Sequence, residues 1–379
     1  MSIIGRILTP EQIMEYHKKC VGCTMCQVRC PVDIPKRLMH TYMRIGEYEK
    51  ANEVITYCMN CNSCEVSCPY AIAGFPLIED VRTYKPIPRL LEIKNDLMER
   101  GNPYPKKYGF DREKRLDWVK KVKVDLESTS ACKDLFGKGL LFTGCVMSYE
   151  DIDSSIAALK TMKMIGLDVE AFKDEACCTS ILIRAGVHDN DVDEMAKKNV
   201  ENLEKYEPDF VVTLCPTCYL VLDHDYGYIV GDASYEVFHY SEIMARALEE
   251  NVFEFKNPVD RLVTYHDSCH LVTGPLKVIE EPRKVLRKIP KLRLKEMLRK
   301  GRFTRCCGGS LRLHRREAMK GLAWLRVMQA KKTDATTIVT TCPLCKKNLR
   351  DGVKEAQVEM DVITLPEIVE TALPTVLRK

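Results

Sequence analysis

No stretch of this chain approaches the roughly 18 uninterrupted apolar residues that a membrane-crossing helix needs, so no span of its own is expected. The opening run MSIIGRILTPEQ lacks a basic segment followed by an apolar one, and no secretory leader is expected there. An excess of one charge is missing too. The chain has 58 basic and 54 acidic residues, a net charge of +4, so nothing calls for nucleic acid. Cysteine is the opposite case, with 19 residues. In an unexported chain they argue for thiolate ligands and against a disulfide scaffold. At 379 residues and 45% apolar, the chain is too large for one small core, and two or three domains are expected.

Eighteen of the 19 cysteines fall into four spaced sets. The pattern C-x2-C-x2-C-x3-C-P occurs twice, as Cys20, Cys23, Cys26 and Cys30 before Pro31, and as Cys58, Cys61, Cys64 and Cys68 before Pro69. Three cysteines at two-residue intervals can wrap three corners of a cubane cluster from one loop. The fourth, before Pro, characteristically ligates the other cluster. The spacing therefore predicts one [4Fe–4S] cluster on Cys20, Cys23, Cys26 and Cys68, and a second on Cys58, Cys61, Cys64 and Cys30. A pair of zinc sites is the alternative, but zinc favours separated C-x2-C pairs. Leu38, Tyr42 and Ile45, then Ala51, Val54 and Ile55, recur at helical spacing, and Pro10 to Lys19 reads as a short helix. Residues 1–85 are thus expected to form an α-helical ferredoxin domain with two clusters. Residues 86–137 read as a partly helical linker with little chemistry, with helices near Ile87–Arg100 and Lys114–Val124. Cys132, the one cysteine left over, reads as incidental.

The C-terminal half repeats at an offset of about 125 residues. Each copy has a Cys, a long gap, an adjacent Cys-Cys pair, another long gap and a Cys-Pro-x-Cys. The sets are Cys145, Cys177, Cys178, Cys215, Cys218 and Cys269, Cys306, Cys307, Cys342, Cys345. VVTLCPTC (Val211–Cys218) mirrors IVTTCPLC (Ile338–Cys345), and VFHYSEIMARAL (Val237–Leu248) mirrors VITLPEIVETAL (Val362–Leu373). Strand-like runs into Cys145 and Cys269 alternate with helical patterns at Asp151–Ile165, Asp191–Tyr206, Glu281–Ile289 and Glu317–Lys331. This predicts two parallel α/β units, 138–257 and 258–379, with the cysteines on the rim where such sheets place ligands. Adjacent thiolates chelate a single zinc through a strained small ring and suit two irons of a polynuclear cluster better. Zinc in one copy, or a redox-active dithiol, stays open on spacing alone.

YHDSCHL (Tyr265–Leu271) and CCGGS (Cys306–Ser310) are similar to signatures of the cysteine-rich (CCG) family. With the two ferredoxin-like runs ahead, the chain resembles the fused catalytic subunit of heterodisulfide reductase. The resemblance implies a noncubane [4Fe–4S] cluster on the five cysteines of each copy, two α/β domains related by a pseudo-twofold axis, and cleavage of a small disulfide such as that of coenzymes M and B between them. It also implies a redox partner, either a membrane cytochrome b or a flavoprotein, and a cytoplasmic protein drawn to the inner membrane face by that partner. The first copy departs from the pattern, reading Cys177-Cys178-Thr179-Ser180. YCMNCNSCEVSCP (Tyr57–Pro69) is also similar to iron–sulfur subunits of glycerol-3-phosphate, glycolate and lactate dehydrogenases, which pass electrons toward quinone. Disulfide reduction consumes two protons, and His266 and His270, flanking Cys269, are the candidate donors, with hydrogen bonding to backbone or sulfur as their other role. Arg312, His314, Arg315 and Arg316 form either an anion-holding cluster or a solvated helix start.

Four iron–sulfur clusters predict about sixteen irons and about sixteen sulfides per chain in protein purified without oxygen, whereas zinc in the five-cysteine sites leaves about eight of each. Elemental and sulfide analysis separates the two.

Overall fold

The computed structural model describes residues 8–72, 74–85, 88–100, 111–124, 131–187, 190–313 and 315–374, so the opening residues 1–7, Ile87 and His314 lie outside the described residues. Up to residue 124 the described residues form helices and loops and no strand. The helix Pro10–Lys18 starts from a capping box in which Thr9 accepts from the Gln12 amide and Gln12 accepts from the Thr9 amide. Helices Lys36–Arg44 and Tyr48–Val54 turn Met39, Met43 and Ala51 inward onto Ile34, Ile55, Ile78 and Val81. Helix Pro88–Arg100 buries Ile93 and Leu97 in the core of the first α/β unit. The expected helix over Lys114–Val124 is only a 3-10 turn, Asp117–Lys121. Trp118 and Arg115 are both drawn into the interior there, and those tertiary anchors override a weak helical pattern.

Two four-stranded parallel sheets follow. The first contains β1 (Lys138–Leu141), β2 (Asp168–Ala171), β3 (Phe210–Thr213) and β4 (Glu236–His239) in the order β2-β1-β3-β4. The second contains β5 (Leu262–His266), β6 (Arg293–Leu294), β7 (Thr337–Thr340) and β8 (Asp361–Thr364) in the matching order β6-β5-β7-β8. In each sheet the order reverses between the first and third strands. Their chains leave in opposite directions and open a crevice at the carboxyl ends, where α/β sheets bind ligands. β1 runs into Cys145 and β3 into Cys215, while β5 runs into Cys269 and β7 into Cys342. The short strands β2 and β6 carry no strong sequence signal, being half exposed and two to four residues long.

The two units pack through helices in a reciprocal way. Ile152–Met164 of the first lies on Leu365–Ala372 of the second, and Tyr240–Glu249 of the first lies on Glu281–Lys288 of the second. Their apolar faces merge into one core that includes Leu159, Met162, Ile243, Met244, Val285, Leu286, Ile368 and Val369. Polar groups inside this seam are paired. Ser154 Oγ lies 2.9 Å from Thr364 Oγ1, and Lys346 Nζ reaches Asp151 at 2.6 Å, Glu367 at 2.9 Å and Ser154 at 3.0 Å.

Lys346→Met removes the only cation between Asp151 and Glu367 among these contacts. Because an ion pair broken from one side leaves uncompensated charge, unfolding by chemical denaturant is expected to need about 3 kcal/mol less.

Candidate metal centres

The N-terminal cysteines border two adjoining cavities. Cys20, Cys23, Cys26 and Cys68 line one, Cys30, Cys58 and Cys61 line the other, and Cys64 and Lys36 border both. Each C-x2-C-x2-C run is folded into a tight loop by the same two left-handed residues: Gly22 and Thr24 in the first run, Asn60 and Asn62 in the second. Lys36 is buried with Nζ 2.8 Å from Cys64 Sγ. Burial alone would push its amine down, but the charges of Cys64, Cys58 and Cys30 outweigh it and hold the amine protonated above its ordinary value. The two runs differ in exposure. Cys23 is open to solvent between exposed Val21 and Met25, whereas Cys58, Met59, Asn60 and Cys61 are buried.

What buries the second run is the second α/β unit. Thr273 Oγ1 donates to the Cys61 carbonyl at 2.8 Å, Asn62 Nδ2 donates to the Thr273 carbonyl at 2.9 Å, and Ser310 Oγ donates to the Met59 carbonyl. Burial raises the Cys61 thiol, and Cys269 adds to the rise, so these two sulfurs are electrostatic neighbours. The first α/β unit holds the N-terminal part differently. Buried Arg184 pairs with Glu79 and with Asp225, and Arg82 donates to the carbonyls of Cys58 and Arg184. Gly186, at φ +79°, lets the backbone of Arg82 and Thr83 approach so closely that a Cβ would lie within 2.8 Å of both.

In each five-cysteine site the thiols adjoin in the same sequence. Cys177 touches Cys145 and Cys178, and Cys178 touches Cys218, which touches Cys215. In the second copy Cys269 Sγ lies 3.7 Å from Cys306 Sγ, Cys307 Sγ lies 3.3 Å from Cys345 Sγ, and the Cys345 amide donates to Cys342 Sγ at 3.3 Å. Hydrogen bonds from sulfur neighbours hold Cys178 and Cys307 well below the ordinary thiol range, while Cys177 and Cys306 are raised well above it. Gly144, at φ +68°, has room for nothing larger, since a Cβ would sit 2.9 Å from Cys218 Sγ. The residue after each pair is also left-handed. Gly308 takes φ +85° without strain, and Thr179 is held at +61°, a costly region for a β-branched residue.

Several supporting residues carry no motif signal in the sequence. Glu175 accepts from the amides of Thr143 and Gly144, each at 2.7 Å, and pairs with buried Arg115 at 2.8 Å, fixing the loop before Cys145. Arg115 comes from the segment expected to hold little chemistry. His239 Nε2 lies 3.1 Å from the carbonyls of both Leu214 and Thr341, the residues immediately before Cys215 and Cys342. Burial raises the Cys342 thiol, Cys345 opposes that, and the charge of Cys215 from the other copy adds to the rise. The two Cys-Pro-x-Cys turns therefore meet across the seam.

His266 and His270, the candidate proton donors, are both buried among hydrogen-bonding partners. His270 Nε2 lies 3.0 Å from the Asn60 carbonyl and Nδ1 lies 2.9 Å from Thr217 Oγ1, so it joins the N-terminal run to both α/β units. Burial, helped by Arg184, lowers it to about 4, so it stands as a neutral brace. His266 Nδ1 accepts from Arg326 Nε at 2.9 Å, and burial lowers it too. Arg312 is committed to Asp351 and Asn348, each at 2.8 Å, Arg315 lies over the Tyr57 ring, and Arg316 is exposed at the start of its helix, so these described arginines are not turned onto one site. Cys132 is a core residue beside Trp118 and Phe136, its thiol raised to about 12 by burial.

The donor sets fit iron–sulfur groups. They consist of soft thiols in fours and fives, glycine at the closest approach, and a buried imidazole nitrogen, His266 Nε2, that has no hydrogen-bond partner beside Cys307. Comparisons agree with this. The cysteine-rich domain family matches residues 140–223 and 263–350, and the 4Fe-4S dicluster domain family matches residues 33–73. One subunit of the dihydromethanophenazine:CoB–CoM heterodisulfide reductase of Methanosarcina mazei is 34% identical over 279 residues, which are 72% of this chain and 65% of that protein. The probable iron-sulfur-binding oxidoreductase FadF of Bacillus subtilis is 27% identical over 99% of this chain and 48% of its own length. The chain thus spans less than two thirds of these relatives. A solved structure of a hypothetical protein from Helicobacter pylori shares the fold, with a TM-score of 0.59 at 11% identity, over 90% of this chain and 66% of that one.

Cys178→Ser and Cys307→Ser are each expected to remove the paramagnetic signal of one five-cysteine centre and leave the N-terminal clusters intact. Iron content and electron paramagnetic resonance that stay unchanged in both variants would show that the adjacent pairs are not ligands.

Proposed function

The chain belongs to the iron–sulfur proteins built on paired cysteine-rich domains, here behind a 4Fe-4S dicluster domain, and on that footing we propose that it reduces a small disulfide of the coenzyme M–coenzyme B type. Cys20, Cys23, Cys26 and Cys68 hold one cubane cluster, and Cys58, Cys61, Cys64 and Cys30 hold the other. Cys145, Cys177, Cys178, Cys215 and Cys218 hold one noncubane cluster, and Cys269, Cys306, Cys307, Cys342 and Cys345 hold its pseudo-twofold mate. The meeting of the two Cys-Pro-x-Cys turns around His239 carries this reading, because a disulfide split by two single electrons needs two electron sources within reach of one bond. The reciprocal packing of the helices supports the twofold relation.

The clusters, when bound, supply one electron each. This chain's own residues do the rest. Exposed Cys23 presents the first cluster to a redox partner, either a cytochrome b subunit at the inner membrane face or a flavoprotein. Among the described residues no helix is long and apolar enough to cross a membrane, so a membrane location would come from that partner. Lys36, between the two N-terminal cavities, offsets the negative charge of both clusters. Thr273, whose hydroxyl reaches the carbonyls of both Cys61 and Cys269, would hold the second N-terminal centre beside the second α/β unit for onward electron transfer. His270 braces the junction, His239 spaces the two turns, and solvent supplies the two protons.

A second reading, an electron conduit between a flavoprotein dehydrogenase and quinone, is favoured by the match of 99% of this chain to 48% of an iron-sulfur-binding oxidoreductase.

Oxidation of reduced viologen by the coenzyme M–coenzyme B heterodisulfide, with protein kept free of oxygen, decides between the readings. Turnover supports the reductase, and its absence in fully loaded protein leaves the conduit. Cys23→Ser is expected to abolish turnover with a protein donor and to spare part of it with the small viologen.

A further inference from the structure

The two α/β copies agree in strand order and cysteine spacing but differ in what faces the second thiol of the adjacent pair. In the second copy Asn348 Nδ2 lies 3.5 Å from Cys307 Sγ. A nitrogen of His266 forms, with Cys307 Sγ and Cys345 Sγ, a group whose atoms all lie within 4.8 Å of one another. Aligning Cys145 with Cys269 and Cys218 with Cys345 puts Phe142 where the second copy has His266, and Val221 where it has Asn348. Both are fully buried, and neither side chain donates a hydrogen bond.

The two nitrogens of His266 are not equivalent. Nδ1 lies 2.9 Å from Arg326 Nε, and a guanidinium only donates, so Nδ1 must accept. The neutral ring then carries its proton on Nε2, which among the described residues has no acceptor other than the neighbouring Cys307 sulfur. The same lock keeps His266 from acting as a sixth ligand, since a protonated nitrogen has no lone pair for iron. Arg326 is itself held, through the Arg299 carbonyl and Gln329 Oε1, each at 2.8 Å, and Thr304 Oγ1 at 3.3 Å, all of them neutral acceptors. The matching residue of the first copy, Asn199, spends its amide on the Ala176 amide, the Cys177 carbonyl and the Tyr226 hydroxyl and offers sulfur nothing.

We infer that Arg326 is a positioning residue that fixes the His266 Nε2–H toward the Cys307 sulfur and thereby makes the second five-cysteine centre the easier of the two to reduce. Hydrogen bonds to cluster sulfur stabilise the added electron and raise the reduction potential, and the first centre lacks both donors. Thr273 Oγ1 lies 2.8 Å from the Cys61 carbonyl and 2.7 Å from the Cys269 carbonyl of the second copy, so an electron arriving from the N-terminal part meets the higher-potential centre first. This inference rests on the reading that both five-cysteine sites hold iron–sulfur clusters.

The test is a redox titration of the intact, cluster-loaded chain followed by electron paramagnetic resonance. In the unmodified protein the signal lost in Cys307→Ser should reduce at a higher potential than the signal lost in Cys178→Ser. His266→Phe, which installs the first copy's residue, should shift only the second centre downward. Arg326→Met should do the same, Arg326→Lys should restore much of the shift, and Arg326→Met should add little in the His266→Phe background. The N-terminal and first-centre signals report in each variant that the chain is folded. Equal potentials in the unmodified protein, or an Arg326→Met shift that persists in full without His266, would overturn the inference while leaving the clusters in place. Loss of no signal in either cysteine variant would overturn the iron–sulfur reading and the inference with it.

Discussion

A parallel sheet whose strand order reverses has one place where two neighbouring strands send their chains apart, and the remainder of this molecule is arranged around that constraint. Both sheets reverse between their first and third strands, and both put a cysteine at the end of each. The Cys-Cys pair arrives from the loop after the second strand and closes the group. Because the geometry is set by backbone topology, the cysteines can be some 70 residues apart in sequence and still adjoin in the same order in both copies.

Much of this was legible in the sequence, and for physical reasons. Ligand spacing is a short-range property, so C-x2-C-x2-C and Cys-Pro-x-Cys announce themselves. Helices with a long apolar face, such as Ile152–Met164 and Arg316–Lys331, lie within a residue or two of expectation. What stayed hidden depends on contacts between distant segments. Arg115 looks like a surface cation in a charged stretch until Glu175 and the Thr143 loop enclose it. His239 reads as one more helix-start residue, and its second task, spanning Leu214 and Thr341, exists only once the copies pack. The strands β2 and β6 are too short and too exposed to show a period. The basic run after Cys307 illustrates the converse, since Arg312 and Arg315, neighbours in sequence, turn to Asp351 and to the Tyr57 ring.

Duplication has kept the frame and released the lining. Thr179 strains where Gly308 is relaxed, and Phe142 and Val221 are dry where His266 and Asn348 are polar. The N-terminal part also chooses between the copies. It is clamped to the first through the buried charges Glu79, Arg184 and Asp225, yet it lays its second cysteine run against the second. Buried charge pairs thus tie it to the first unit, and neutral hydrogen bonds tie it to the second.

The enclosure of the second cysteine run has a consequence for how the molecule is made. The Met59 carbonyl is covered by Ser310, 251 residues further along, and Asn60 and Cys61 are covered by His270 and Thr273. On a ribosome adding about 5–20 residues per second, those covers do not exist for roughly 10 to 50 s after the run emerges. During that interval the loop of Cys58, Cys61 and Cys64 lacks the hydrogen-bonded cover that it has in the finished protein. Cys23, in the first run, is exposed even in the finished protein.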